Sequence, residues 1–332
     1  MKNSKIIGLG KYIPKRTVTN ADLEKIMETS DSWIQERTGI KERHYAKPGK
    51  ETVSWMGAEA AKQALKMAGL QASEIDFIIF ATLSPDFDFP GSGCPMQVHL
   101  GIPGIGALDV RNQCSGFVYS MAIADQFIKT GMYKNILVVG AEVQSTGLNM
   151  TTEGRDVAVI FGDGAGAAIL TSTEEKGKGI LSSNMHADGT FARELFLEDP
   201  GSSKPKRISK EMIDEGGVYP YMNGRYVFKH AVQKFPAAIN EALNDAGCTL
   251  DDVDLVIPHQ ANKRITEAIQ MRLEIPKEKV FSNIEKYGNT TAASIPIALT
   301  EAYEEGLIKD GSLVCLAAFG SGFTWGANLI RF

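Results

Sequence analysis

The chain has 332 residues, 43% of them hydrophobic and 23% charged. At roughly 150 residues per domain that is about two domains, long enough to bury about 75% of the unfolded surface, which excludes disorder, collagen, coiled coil and a stapled miniprotein. The net charge of -5 comes with no Lys/Arg run, which argues against nucleic acid and leaves a local basic patch as the only route to an acidic partner.

Residues 1–16 have no apolar core, so no signal peptide is expected. Residues 54–69 form the first predicted helix, with Ala58, Ala61, Ala64, Leu65 and Ala68 on one face and Gly69 as its stop. The runs 75–82, 106–110, 135–140 and 157–161 are predicted as buried strands. All are far short of the ~20 residues of a membrane helix, so no membrane partner is expected. A second helix is predicted over 115–130, closed by Gly131. Residues 171–219, richer in Gly, Ser, Lys and Asp, are the predicted connector, with some strand content. From Gly224 the strand and helix alternation resumes. The four cysteines form no CxxC, which fits free thiols in a reducing cytosol and predicts a cytoplasmic protein. No zinc, HExxH or Walker A spacing appears, so no metal is expected.

An internal repeat organises the chain. Ala64-Leu65, Ala68-Gly69, Asp76 and Ile79 recur as Ala242-Leu243, Ala246-Gly247, Asp254 and Ile257, an offset of 178 (242 minus 64). Phe161-Gly162-Asp163-Gly164 recurs as Phe319-Gly320-Ser321-Gly322 at 158, and Gly131 with Lys134 recurs as Gly306 with Lys309 at 175. Three blocks in one order predict two similar α/β halves, 1–172 and 173–332, about a pseudo-twofold axis. The 175 offset lays Cys114 on Asn289, each just before a helix, so both side chains are expected to face one shared site.

The chemistry sits at the ends of strands and the starts of helices. Cys114 lies between a predicted strand and helix, where backbone N–H groups and the helix dipole favour a thiolate nucleophile. The plainer alternative is a small buried core residue. His259, in Pro258-His259-Gln260-Ala261-Asn262, ends a predicted strand, the side on which open α/β sheets bind ligands. Asn289 precedes a helix of small residues, where a simple N-cap is the plainer role. The turn Phe319-Gly320-Ser321-Gly322 can aim N–H groups into a site. Three other readings stand beside this one. Gly162-Asp163-Gly164-Ala165-Gly166-Ala167 fits a dinucleotide fingerprint only formally, since strand rather than helix follows. A Cys–His–Asn thioester hydrolase of the papain kind has the right chain order but lacks that group's cysteine signature. A non-catalytic duplicated α/β protein predicts no such coincidence of Cys, His and Asn.

Cys114-Ser115-Gly116-Phe117, Pro258-His259-Gln260-Ala261-Asn262, Gly288-Asn289-Thr290 and Gly322-Phe323-Thr324-Trp325-Gly326 resemble the β-ketoacyl–acyl carrier protein synthase III family of condensing enzymes. Ser30-Asp31-Ser32-Trp33-Ile34 with Arg37-Thr38-Gly39-Ile40 and Arg43 matches that family's N-terminal signature, and the likeness runs from Gly8 to Phe332. The resemblance implies a thiolase fold, five layers αβαβα, in a homodimer. It implies decarboxylative condensation of an acyl-CoA primer with malonyl–acyl carrier protein, without a cofactor. Cys114 would carry the acyl group. His259 and Asn289 would donate to the malonyl thioester oxygen, and the N–H groups of Cys114 and Ser321 would form a second oxyanion hole. Trp33 and Arg37, with Arg155 nearby, would hold the CoA adenine. Gly224 and Asn262 would line the pantetheine tunnel, and Phe89 would reach the partner's acyl pocket. Lys229 and Arg264 would meet the acidic carrier protein. Arg111-Asn112-Gln113, Ser321 and Asp86-Phe87-Asp88 depart from the family's usual pattern. They leave the primer open among acetyl, branched, longer and aryl groups, and relatives in secondary metabolism use other acceptors.

Overall fold

A computed structural model describes residues 3–332. The short apolar runs become two mixed sheets. The first contains β1 (Asn3–Tyr12), β2 (Phe77–Ala81), β3 (Gly106–Val110), β4 (Asn135–Glu142) and β5 (Gly164–Thr173), in the order β1-β5-β4-β2-β3. The second contains β6 (Gly179–Ala187), β7 (Leu255–Pro258), β8 (Leu313–Gly320) and β9 (Thr324–Arg331), in the order β7-β8-β9-β6. β2 is parallel to β4, as β7 is to β8; β5 is antiparallel to β4 and β1, as β9 is to β8 and β6. The central strands β4 and β8 are buried along their whole length, which is why they read as unbroken apolar runs.

Helices α1 (Val53–Ala68), α2 (Gly116–Lys129), α3 (Gly224–Ala246) and α4 (Ser294–Glu304) complete five layers. α1 covers the outer face of the first sheet and α3 that of the second, while α2 and α4 fill the space between the sheets. The apolar stripe of α1 faces in, and Thr52 caps its start by accepting from Trp55 N. The repeated aspartates act alike. Asp76 accepts from Asn135 N and Asp254 accepts from Leu313 N, each at 2.8 Å, so each fixes the start of a central strand.

The sheets correct two of the repeat's offsets. α2 and the 3-10 turn before it start at Gly116 and Gln113; α4 and its turn start at Ser294 and Thr291, an offset of 178. Gln113 and Thr291 even share a positive φ, +44° and +51°. Cys114 is therefore the counterpart of Ala292, not of Asn289. The expected 175 arises because α4 has 11 residues against 14 in α2, and the following loop restores the difference. The 158 offset also slips by two. Gly164 pairs with Glu142 and Thr324 pairs with Gly320, so β5 lies on β9 at 160 (324 minus 164) and Glu142 lies on Gly320 at 178.

Residues 157–161 are not a strand. Arg155–Ala158 is a single helical turn, and Phe161 makes only an isolated bridge to Asn289. The fully buried Arg43 guanidinium takes Val159 O at 2.7 Å, which holds this segment away from both sheets. The predicted connector holds the whole of β6, an edge strand of the second sheet. β3 is the edge of the first sheet and only half-buried. All four cysteines are free, and the dinucleotide-like glycines lie in β5 with no helix after them. Among the described residues no helix is long and apolar enough to cross a membrane, and no group of metal-ligating side chains gathers.

Candidate active site

Segments from both halves converge on one cavity. Cys114 stands in the 3-10 turn Gln113–Ser115, between β3 and α2. The positive φ of Gln113 is a strained value for a residue with a side chain, of the kind found at functional turns. Ser115 Oγ lies 2.6 Å from Thr324 Oγ1, which ties this elbow to β9 of the other half. Gly320 backs the cysteine so closely that a Cβ there would lie 2.7 Å from Cys114 Cβ. His259 follows β7, and its N–H donates to Ala317 O at 2.8 Å, continuing the parallel pairing with β8. Asn289 follows Gly288, whose positive φ and close approach to Ile160 O admit no side chain. Asn289 N donates to Ile160 O at 2.9 Å, and Asn289 O accepts from Gly162 N at 3.1 Å. Its Oδ1 accepts from Thr291 N at 2.8 Å, which fixes the amide and leaves Nδ2 as its donor. It does not cap α4, which Ala293 precedes.

The cavity measures about 640 Å³, the size of a small-molecule site. Cys114, His259, Asn289 and Gly320 line its buried end, and Arg37, Arg225 and Arg264 its exposed end. Burial sets the electrostatics. His259 is pushed down to about 3 by desolvation alone and is neutral at physiological pH. Its Nδ1 lies 2.6 Å from Ser294 Oγ, while its Nε2 is buried without a partner. The acidified thiol expected at a helix start is not found. Burial, then the Glu142 carboxylate, push Cys114 up to about 12, against the opposing pull of the N–H groups of Cys114 and Ser321 on its sulfur. Glu142 ends β4 and accepts from Ser84 Oγ at 2.5 Å, Thr82 Oγ1 at 3.2 Å and Ala292 N at 3.4 Å. Burial still pushes its carboxyl up to about 7.

Residues 108–189 match the family described as 3-oxoacyl-[acyl-carrier-protein (ACP)] synthase III, and residues 243–332 match that family's C-terminal part. A β-ketoacyl-[acyl-carrier-protein] synthase III of Caldanaerobacter subterraneus subsp. tengcongensis is 47% identical over 326 residues, covering 98% of this chain and 97% of the relative. The chain belongs to the β-ketoacyl–acyl carrier protein synthase III family. The crystal structure of a family member from Aquifex aeolicus VF5 superimposes with a TM-score of 0.91 at 47% identity, covering 99% of this chain and 100% of the other. The two-sheet, five-layer architecture is therefore the family's thiolase fold. The priming β-ketosynthase from the R1128 polyketide biosynthetic pathway matches at a TM-score of 0.90 and 30% identity, covering 100% and 96%.

Of the residues that the family likeness singles out, Trp33, Arg37, Gly224, Asn262 and Arg264 line the cavity with Cys114, His259 and Asn289, whereas Phe89, Arg155, Lys229 and Ser321 do not. Trp33 and Arg37 line it, with the Arg37 guanidinium 4.4 Å and the Arg155 guanidinium 5.2 Å from the Trp33 ring. Gly224 opens α3 at the cavity wall. Asn262 lines the cavity too, but its amide is already engaged: Nδ2 donates to Arg37 O, and Oδ1 caps the helix Lys263–Leu273 by accepting from Arg264 N, both at 2.9 Å. Lys229 and Arg264 are exposed, on α3 and on that second helix. Ser321 Oγ donates to Leu195 O, anchoring the short strand Leu195–Phe196 beside the cavity. Phe89 is 81% exposed and lies outside this cavity. Sequence reasoning passed over Ser294, Glu142, Leu195 and Met222. Ser294 was visible as a polar residue opening a helix of small ones, and Glu142 as the acid ending an apolar run. Leu195 and Met222 carry no local signal.

Proposed function

We propose that this chain condenses an acyl-CoA primer with malonyl–acyl carrier protein, releasing CoA and CO2 and giving β-ketoacyl–acyl carrier protein. The observation that carries the reading is a buried, neutral His259 with an unpartnered Nε2, in one cavity with the Asn289 amide and the Cys114 thiol. Cys114 attacks the primer thioester, and its proton ends on the departing CoA sulfur, so the exchange balances without a permanent base. The N–H groups of Cys114 and Ser321 stabilise the oxyanion of that step. Loss of CO2 from the malonyl thioester then leaves an enolate. Neutral donors at His259 Nε2 and Asn289 Nδ2 stabilise its oxygen as charge develops, without protonating the carbon that must attack. The enolate carbon attacks the Cys114 thioester, the C–S bond breaks, and the expelled Cys114 thiolate takes up one proton from solvent to regenerate the thiol. Only thioesters take part, so the reading needs no cofactor or metal.

Trp33, Arg37 and Arg155 serve the CoA adenine, Gly224 and the backbone around Asn262 the pantetheine arm, and Lys229 and Arg264 the acidic carrier protein. The halves 1–172 and 173–332 are two copies of one unit. The homodimer assigned here is favoured by the half-exposed edge strand β3 and by Phe87, Phe89 and Val98, which are 58%, 81% and 78% exposed. Phe89 of one subunit would reach the acyl pocket of the other, and the assembly would work in the cytoplasm. The likeness to a polyketide priming synthase keeps other primers and acceptors as the second reading. Intact-mass profiling tests both. Cys114 should gain one acyl group from its preferred acyl-CoA, and malonyl–acyl carrier protein should remove it as a condensed product. Asn289→Ala should still acylate but not decarboxylate. Acylation of a Cys114→Ala protein, or release of free acid in place of product, would overturn the proposal.

A further inference from the structure

A neutral imidazole has two forms, and only one carries a proton at Nε2 to offer the cavity. Burial explains why His259 is neutral; it does not choose between the forms. Ser294, the first residue of α4, supplies the choice. Its Oγ lies 2.6 Å from His259 Nδ1 and accepts from Gln260 N at 3.4 Å. Both side chains are buried. Among the described residues the Ser294 hydroxyl hydrogen has no acceptor besides Nδ1.

Two proton arrangements follow. With the proton on Nδ1, the ring donates to Ser294 Oγ. The serine hydrogen is then buried without an acceptor, and Nε2 presents a lone pair to the cavity. With the proton on Nε2, Ser294 donates to Nδ1 and Gln260 N–H donates to Ser294 Oγ. Only Nε2–H is then left over, and it is the atom without a partner at the cavity wall. The second arrangement leaves one buried polar group unsatisfied instead of two, and a substrate oxygen can satisfy that one.

We infer that Ser294 is a positioning residue which holds His259 in the Nε2–H form and so makes it a donor to the developing enolate. The inference rests on the reading of His259 as that donor. It predicts a division between the two half-reactions. Acylation of Cys114 does not use His259 as a donor; decarboxylation does.

The test is a long-range nitrogen–proton correlation spectrum of the full-length protein labelled with 15N-histidine, near pH 7.5, with His259 assigned by its loss in His259→Ala. The expected signature is a bare Nδ1 and a protonated Nε2. In Ser294→Ala that signature should shift toward the other form. Decarboxylation of malonyl–acyl carrier protein should fall roughly 10–100-fold, below the limit of about 10²–10³ for losing an oxyanion donor outright. The rate of Cys114 acylation by acyl-CoA should stay within a few-fold, which also reports that the variant is folded. A protonated Nδ1 in the unmutated protein overturns the inference whether or not the variant folds. So does unchanged decarboxylation in a folded Ser294→Ala protein. Normal decarboxylation by His259→Ala would instead remove the underlying reading of the histidine, and the two failures are separable.

Discussion

Gly320→Ala perturbs Cys114, the proposed nucleophile, without changing its side chain. The added methyl would lie 2.7 Å from Cys114 Cβ, 3.1 Å from Cys114 N and 3.3 Å from Cys114 Cα. Ordinary contact begins near 3.4 Å, so β8 and the cysteine elbow must separate by about 0.7 Å. Neither side yields easily. β8 is the buried central strand of its sheet, and the elbow is held by the bond of Ser115 to Thr324. Overpacking of this kind costs roughly 1–3 kcal/mol, or about 1–4 °C in Tm for a chain of this length. Acylation should suffer more, by roughly 10–100-fold, because the sulfur moves relative to the N–H groups of Cys114 and Ser321. The assay is the single-turnover rate of acyl-enzyme formation by intact mass, alongside thermal unfolding. Gly189→Ala, where an added Cβ meets nothing, is the neutral comparison. A Gly320→Ala protein that acylates at the unmutated rate with an unchanged Tm would refute the packing argument.

Glu142 predicts a pH effect on stability. Its carboxyl is raised from 4.5 to about 7 on folding, so between those values the folded chain holds a proton that the unfolded chain has lost. Stability therefore falls as pH rises from about 4.5 to about 7, by about 3 kcal/mol, and Glu142→Gln should flatten that slope in denaturant unfolding; parallel slopes would count against it. Arg43 is buried without a carboxylate partner and donates to Asn20 Oδ1 at 2.8 Å and Val159 O at 2.7 Å. Arg43→Met should cost about 2–4 kcal/mol in unfolding free energy, and a neutral result would show that those acceptors find other donors. Trp33→Ala should raise KM for acyl-CoA roughly 5–100-fold with kcat nearly unchanged, since a stacking platform acts on binding; a fall in kcat alone would contradict it. Lys229→Glu, outside the cavity lining, should raise KM for the carrier-protein substrate severalfold and flatten its salt dependence while sparing acylation by acyl-CoA. An unaltered salt profile would move the docking site elsewhere.

That Cys114, His259 and Asn289 gather at one cavity was legible because each stands at the edge of a strand, helix or helical turn, and such positions are marked by local pattern. What the pattern could not show were partners distant in sequence. The run 157–161 has strand-like composition, yet Arg43 and Asn289 take Val159 O and Ile160 O, and those bonds make it a cavity wall. A five-residue apolar run carries no period that separates strand from turn. The repeat was visible, but a helix three residues shorter in one half made Asn289 look like the mate of Cys114. The raised thiol of Cys114 was not legible, because local context suggests a helix dipole, while burial and the approach of Glu142 depend on both sheets being in place.

The register of the two halves carries a consequence for stoichiometry. Glu142 occupies the counterpart position of Gly320, and Ala292 that of Cys114. Gly320 sets bare backbone directly against the Cys114 elbow, whereas its counterpart Glu142 extends a carboxyl group to the Ala292 N–H. The two equivalent places thus differ in chemistry: one holds a thiol, the other a methyl group with no nucleophilic atom. On the function proposed above, one acyl group loads per chain, however closely the halves agree in topology. Each half is then free to drift from the other, one around the thiol it carries and the other around its imidazole and amide.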